Sequence, residues 1–186
     1  MPELKNLKRL YHGSFCEVQE PDLSKCARYK DFGQGFYLTS SREQARSFAR
    51  ISTGKAVGIK RIPPQPYGVI SAFTFCDPGD LRVRDYPAAD VEWLHCVVGY
   101  RRNRYFPDEM RQLLDYDVVS GKIANDNTNA TITAYRDGLY GEIGSETADR
   151  ICISLLLPER LQDQFCFRTD KALKALTFEG SERIWL

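Results

Sequence analysis

Net charge is nearly absent from this sequence. Its 186 residues carry 26 Lys and Arg against 25 Asp and Glu, a formal +1. That balance argues against a general binder of nucleic acid or of membrane surfaces, which needs a standing positive excess. No run approaches the roughly 18 apolar residues of a membrane span. The opening MPELKNLKRL lacks the apolar stretch of a signal peptide. The expectation is a cytoplasmic protein without membrane contact. None of the six cysteines (Cys16, Cys26, Cys76, Cys96, Cys152, Cys166) forms a CxxC pair, and neither His12 nor His95 lies at ligand spacing from a cysteine pair. This speaks against zinc and leads to an expectation of no metal and of reduced, mostly buried thiols. There is no internal repeat and no low-complexity segment.

Several motifs are missing as well. DFGQGFYLTSS (31–41) has two glycines two apart, but a dinucleotide fingerprint needs a third where Leu38 stands, and it follows a strand rather than preceding one. SGKI has neither the upstream glycine nor the following hydroxyl of a phosphate loop. No GxSxG elbow occurs. ANDNTNAT lacks the spacing and closing Glu of a calcium loop. His95 and Cys96 are neighbours on a predicted helix and point apart, which reads as packing.

What is present describes one globular domain, 1–186. Hydrophobic residues make up 42% and aromatics 12%, ordinary for a packed chain. At this length a core can form without staples. Pattern predicts a strand at 7–13, a long loop at 14–34, a strand at 35–39 and a helix at 40–52. Ser40 or Ser41 caps that helix, with Glu43 or Gln44 three residues on as a capping box. Further strands are predicted at 67–75, 115–126 and 163–169, and a final one or two in TFEGSERIWL. Helices are predicted at 88–100, about 127–138, about 144–157 and 170–176; 101–114 reads as a loop leading into a short helix. DPGD (77–80) reads as a turn. Strands and helices mix without regular alternation, so the fold class is α+β.

The remaining candidates are dispersed: His12 with Gly13 in LYHG, Tyr37 in GQGFYLT, Phe48 eleven residues on, and Gln164 in DQFCF. Singly, each has an ordinary structural reading. Together, LYHGS, KDFGQGFYLT with QARSFA, EWLHCVVGYRR, YDVVSGKIANDNTNATITAYRDG and QFCFRTDKALKALTF resemble the DUF3990 family over about Leu10 to Phe178. That group is assigned to the His-Tyr-Glu side of the ADP-ribosyltransferase superfamily, with the poly-ADP-ribose polymerases and diphtheria toxin. The resemblance implies a split β-sandwich, with two small sheets splayed around a cleft that holds NAD as co-substrate.

It also implies roles. His12 would bond the adenosine ribose, the backbone of Gly13 the nicotinamide carboxamide. Tyr37 and Phe48 would sandwich the nicotinamide ring, with Gly33 and Gly35 letting the chain fold close beneath it. Arg28 is a candidate for the pyrophosphate. Two positions depart from the polymerases: Ala45 stands for their carboxamide-binding Ser, and Gln164 for their Glu. An amide orients the ribose hydroxyl but brings only a dipole to the developing oxocarbenium ion, which points to a single transfer rather than chain elongation. A second acid would activate the acceptor, Asp126 first and Asp31 behind it; the alternative for IAND is a turn and helix cap.

The implied activity is mono-ADP-ribosyl transfer to a macromolecule, as an intracellular bacterial effector or the toxin of a toxin–antitoxin or defence module. The near-neutral charge favours a protein acceptor, while YRRNRY (100–105) keeps nucleic acid open. An NAD glycohydrolase and a non-catalytic NAD or ADP-ribose binding module are the competing readings.

Overall fold

The computed structural model describes residues 3–102, 105–123, 126–156 and 162–186. In chain order the regular elements are β1 (Arg9–Ser14), β2 (Phe36–Leu38), α1 (Arg42–Gly58), β3 (Tyr67–Phe75), β4 (Val83–Asp85), α2 (Val91–Arg102), α3 (Pro107–Gln112), β5 (Val118–Lys122), α4 (Asp126–Arg136), α5 (Glu146–Leu156), β6 (Asp163–Phe167), α6 (Asp170–Leu173) and β7 (Leu176–Trp185). The class is α+β, as the sequence suggests. Two sheets form: a three-stranded one in the order β1-β3-β7 and a four-stranded one in the order β2-β6-β5-β4. All pairings are antiparallel except β4 with β5.

The sheets face each other across a shared apolar layer. Leu10, Phe73 and Phe75 come from one sheet, and Phe36, Leu38, Val118, Phe165 and Phe167 from the other. Edge-on ring pairs cross the layer, Phe36 on Phe73 at 5.4 Å and Phe75 on Phe167 at 5.9 Å between centroids. A second core lies on the far side of the four-stranded sheet, where Trp93, Leu94 and Val97 of α2 meet Ile132 and Tyr135 of α4, Cys152 of α5 and Val119 and Cys166 of the sheet. Every residue of β6 is buried because apolar cores lie on both of its faces.

The sheets are also tied by backbone. Tyr11 and Thr39 exchange hydrogen bonds of 2.9 and 3.0 Å, an isolated antiparallel bridge from β1 to the end of β2. The chain then turns into α1, where the Ser41 hydroxyl accepts from the Gln44 N–H at 3.2 Å, the predicted cap. Ala45, Ala49, Thr53 and Ala56 form the buried stripe of α1, which lies on β1 and β3. Small residues there bring helix and sheet very close. A Cβ on Gly13 would overlap the Ala45 carbonyl and lie 2.7 Å from the Ala49 nitrogen. Gly13 is therefore required for packing, whatever else it does.

The thiols differ from expectation. All six cysteines are free, but only Cys96, Cys152 and Cys166 are buried; Cys16 and Cys76 are exposed. The exposed pair lies just beyond the ends of β1 and β3, where alternation no longer directs side chains inward.

Gly13→Ala is expected to destabilise the fold by at least about 1–3 kcal/mol, since helix and strand backbones must separate. Urea unfolding checks this, and an unchanged midpoint would contradict the packing.

Candidate functional site

Strand alternation assigns faces to the candidate residues. On β1, Leu10 joins the inter-sheet core and Tyr11 packs on α1. His12 therefore shares the inner face with Leu10, and Gly13 the outer face with Tyr11. On β2, Phe36 and Leu38 are inner and Tyr37 is outer, against the α2 core. On β6, Phe165 and Phe167 are inner, so Gln164 is outer with Cys166. The bridge at Tyr11 and Thr39 makes β1 and β2 locally continuous. Gly13, Tyr37 and Gln164 thus share one face; α1, which carries the half-buried Phe48, lies over its β1 part, and Tyr37 packs against the α2 core. His12 stands on the other face and reaches β2 through its backbone.

His12 Nδ1–H donates to the Tyr37 carbonyl at 2.8 Å. A carbonyl only accepts, so the proton is on Nδ1 and Nε2 is left as an acceptor. The ring leans on Phe36 at 4.5 Å. Burial pushes the imidazole pKa below its ordinary 6.5, with Lys30 adding to the shift. The backbone of Gly13 is distinctive for another reason. Tyr11 turns its N–H and C=O toward β2, so those of Gly13, two residues on, turn the same way, past the end of the β1–β2 pairing. They carry no hydrogen bond among the described residues.

Tyr37 closes its own loop. Its hydroxyl donates to the Gly33 carbonyl at 2.8 Å and accepts from the Phe32 N–H at 2.9 Å. Burial raises its pKa well above the ordinary 10. The glycines of this stretch answer to protein neighbours. Gly33 has φ +79°, and a Cβ would lie 2.7 Å from the Tyr100 ring; a Cβ on Gly35 would overlap the Cys166 sulfur.

Gln164 is 5% exposed. Its Nε2 donates to Asp31 Oδ2 at 2.8 Å and to the Lys122 carbonyl at 3.1 Å. Both partners are acceptors only, which fixes the amide orientation and leaves Oε1 without a hydrogen bond among the described residues. Asp31, 8% exposed, takes Arg101 on its other oxygen, Nε at 2.8 Å and Nη2 at 2.7 Å. Arg101 also donates to Asn129 Oδ1 at 2.7 Å. The YRRNRY segment is therefore not an open basic strip at Tyr100 or Arg101: Tyr100 is buried and Arg101 is turned inward onto Asp31. Residues 103 and 104 lie outside the described residues.

Two other expected residues stand apart. Of Asp126 only the backbone is described, as the first residue of α4; its side chain, with Ala124 and Asn125, lies outside the described residues. Arg28 is exposed and lines a cavity that includes none of His12, Tyr37, Phe48 or Gln164.

Sequence reasoning missed three buried carboxylates, Asp117, Asp149 and Asp163. Asp163, on the inner face beside Gln164, accepts from Thr39 Oγ1 and Ser40 N, each at 3.0 Å, and from Ser40 Oγ. It anchors the turn from β2 into α1. Asp149 of α5 accepts from the Tyr135 hydroxyl and from His95 Nε2, the latter at 2.9 Å, and Tyr135 accepts from the Gly144 N–H at 2.8 Å. His95 also stacks on Phe106 at 3.8 Å. It is more than a packing residue: it pins α2 to α5 and borders a cavity of about 670 Å³. A buried Asp amid apolar residues at the start of β6 or within α5 was the available signal.

Among the described residues, no cluster of three His, Cys, Asp or Glu could hold a metal, and no helix is long and apolar enough to cross a membrane. Two facing sheets, with a buried polar cluster of Asp31, Arg101 and Gln164 on the outer side of the four-stranded one, define an α+β protein. The chain belongs to the DUF3990 family, described as a protein of unknown function, whose model matches residues 8–178. No curated protein and no solved structure matches it.

The lowered pKa of His12 sets a pH dependence. The unfolded chain takes up a proton as pH falls through about 6.5 while the folded ring stays neutral, so stability is full above that pH and declines below it. His12→Asn, whose Nδ2 can replace Nδ1, should lose less stability between pH 7.5 and 5.5 than the parent in urea titrations. An equal loss would contradict the assignment.

Proposed function

We propose that this protein is a mono-ADP-ribosyltransferase that cleaves NAD and passes ADP-ribose to a macromolecular acceptor, as an effector or toxin. The observation that carries the reading is the outer face at the sheet split. There the unpaired N–H and C=O of Gly13 suit a carboxamide, which needs one donor and one acceptor. Tyr37 and Phe48 offer rings. Gln164 offers an acceptor oxygen whose direction is fixed from behind by Asp31 and the Lys122 carbonyl. His12, with Nε2 free to accept, suits a ribose hydroxyl at the margin.

The chemistry balances simply. The bond between ribose C1′ and the nicotinamide nitrogen breaks, and its electron pair leaves with nicotinamide, which departs neutral. The charge left on the ribose is met by a nucleophile of the acceptor, which gives its proton to a base. Gln164 Oε1 would hold the ribose hydroxyl during this step. Asp31 serves best as an orienting group, because Arg101 and Gln164 occupy its two oxygens.

The direct test uses NAD labelled in its adenosine half, with and without cell lysate. Nicotinamide release with label in protein or nucleic acid is expected. Release with no labelled macromolecule would make the protein a glycohydrolase; binding without release would make it a recognition module.

A variant pair probes Gln164. Gln164→Glu alone sets two carboxylates at hydrogen-bond distance, where one must keep a proton. Asp31→Asn combined with Gln164→Glu keeps the bond between the two residues with donor and acceptor exchanged, gives up the bond to the Lys122 carbonyl, and moves the carboxylate to position 164. The double variant should release nicotinamide about tenfold or more faster than the parent. A folded double variant without any gain would count against Gln164 as the ribose contact.

A further inference from the structure

A cavity of about 590 Å³ opens at the other end of β6, past Phe167. Gln164 and Arg168 are four residues apart along an extended chain, roughly 13 Å, so this is a separate place from the face described above. Its walls come from the loop before β2 (Arg28, Tyr29, Gln34), the last turns of α2 (Tyr100), the approach to β5 (Tyr116) and the residue after β6 (Arg168).

Its charge is set apart by burial. Arg9, Arg42, Arg82, Arg84, Arg101 and Arg111 each face a carboxylate, and Arg50, Arg61, Arg150 and Arg183, which face none among the described residues, are all exposed. Arg28 and Arg168 have no carboxylate partner among the described residues, and no Asp or Glu lines the cavity. Arg168 is half-buried, with neutral partners only: Nη1 donates to the Leu113 carbonyl at 2.6 Å and Nη2 to the Tyr100 hydroxyl at 3.0 Å, with the guanidinium 5.3 Å from the Tyr100 ring centre. These contacts hold the fork rigid, use two of its five N–H donors and leave its charge uncompensated. A fixed guanidinium with a second arginine beside it suits a phosphate.

The rest of the cavity suits what a phosphate is attached to. Tyr29 is 64% exposed, an aromatic face without a protein neighbour to cover it. Gln34 gives its Nε2 to the Leu23 carbonyl at 2.8 Å, so its Oε1 is an acceptor by necessity. A planar ring with an exocyclic amine matches the pair, the ring on tyrosine and the amine on Gln34. The volume falls within the about 300–1,000 Å³ of small-molecule sites, far more than a bare phosphate fills.

We infer that this cavity binds a nucleotide unit, its phosphate on Arg168 and Arg28 and an amino-bearing base against Tyr29 and Gln34. The unit is either a free nucleoside monophosphate or one residue of a single strand. The inference stands whether or not the outer face binds NAD.

The test is calorimetric titration of the full chain with 5′-AMP, inorganic phosphate and a short oligoadenylate. Parent, Arg28→Glu, Tyr29→Ala and Phe48→Ala are compared, each checked for an unchanged melting temperature. Arg28 and Tyr29 are exposed, so their variants are expected to fold. AMP should bind more tightly than phosphate, and Arg28→Glu should weaken it about tenfold or more and Tyr29→Ala about fivefold or more, with Phe48→Ala, outside the cavity, unchanged. An oligoadenylate that binds more tightly than AMP identifies a single strand as the source; equal binding identifies the free nucleotide. Absence of AMP binding, AMP no tighter than phosphate, or a loss confined to Phe48→Ala would overturn the inference.

Discussion

Asp31 holds the candidate site together. One carboxylate oxygen takes the guanidinium of Arg101 at the end of α2, and the other takes the amide of Gln164 on β6. Three segments far apart in sequence are thereby fixed to each other: the loop before β2, the end of a helix and the start of a central strand. Breaking such a buried pair by removing one partner costs about 3–5 kcal/mol, because the other charge remains buried without compensation. The pair also has a directional consequence. An amide alone could turn either way, but with a carboxylate and a carbonyl on one side Gln164 must turn its oxygen away from both.

The two sheets explain why such a cluster can exist at a surface. Their inner faces are filled with Phe and Leu and leave no room for a ligand. At the single bridge between Tyr11 and Thr39 the pairing of β1 and β2 stops, and the next backbone groups of β1, those of Gly13, face outward unpaired. Asp163 holds the chain at that point by gripping Thr39 and Ser40, so α1 starts immediately and lies back over the strand. The split is thus framed by a strand end, a helix and a fixed amide.

Much of the fold was legible because its signals are local. The apolar, β-prone run YGVISAFTF between PPQP and DPGD marks β3 at both ends, and Ser41 with Gln44 marks the start of α1. Other features were not local. α1 runs on to Gly58, beyond the predicted end at 52, because Thr53 bonds the Ala49 carbonyl and, with Ala56, continues the buried stripe through a stretch whose Ser, Thr and Gly suggest a stop. β4 is three residues long and exists only through its parallel partner β5. That Gly13, Tyr37 and Gln164 fall on one face and His12 on the other follows from the strand pairings and not from any local signal. Asp31 with Arg101, 70 residues apart, and His95 with Asp149, 54 apart, have no signature at either end. Gly33 and Gly35 read as a ligand's floor, yet the atoms that crowd them belong to Tyr100 and Cys166. Sequence can say that a backbone must be bare, and only the fold says against what.

The most direct test of the account is a crystal structure of the protein with NAD, or with an analogue whose glycosidic bond cannot break. The expected result has the carboxamide on the backbone of Gly13, the ring against Tyr37 and the adjoining ribose hydroxyl on Gln164 Oε1. NAD bound elsewhere on the molecule, or an empty outer face at saturating NAD, would contradict it.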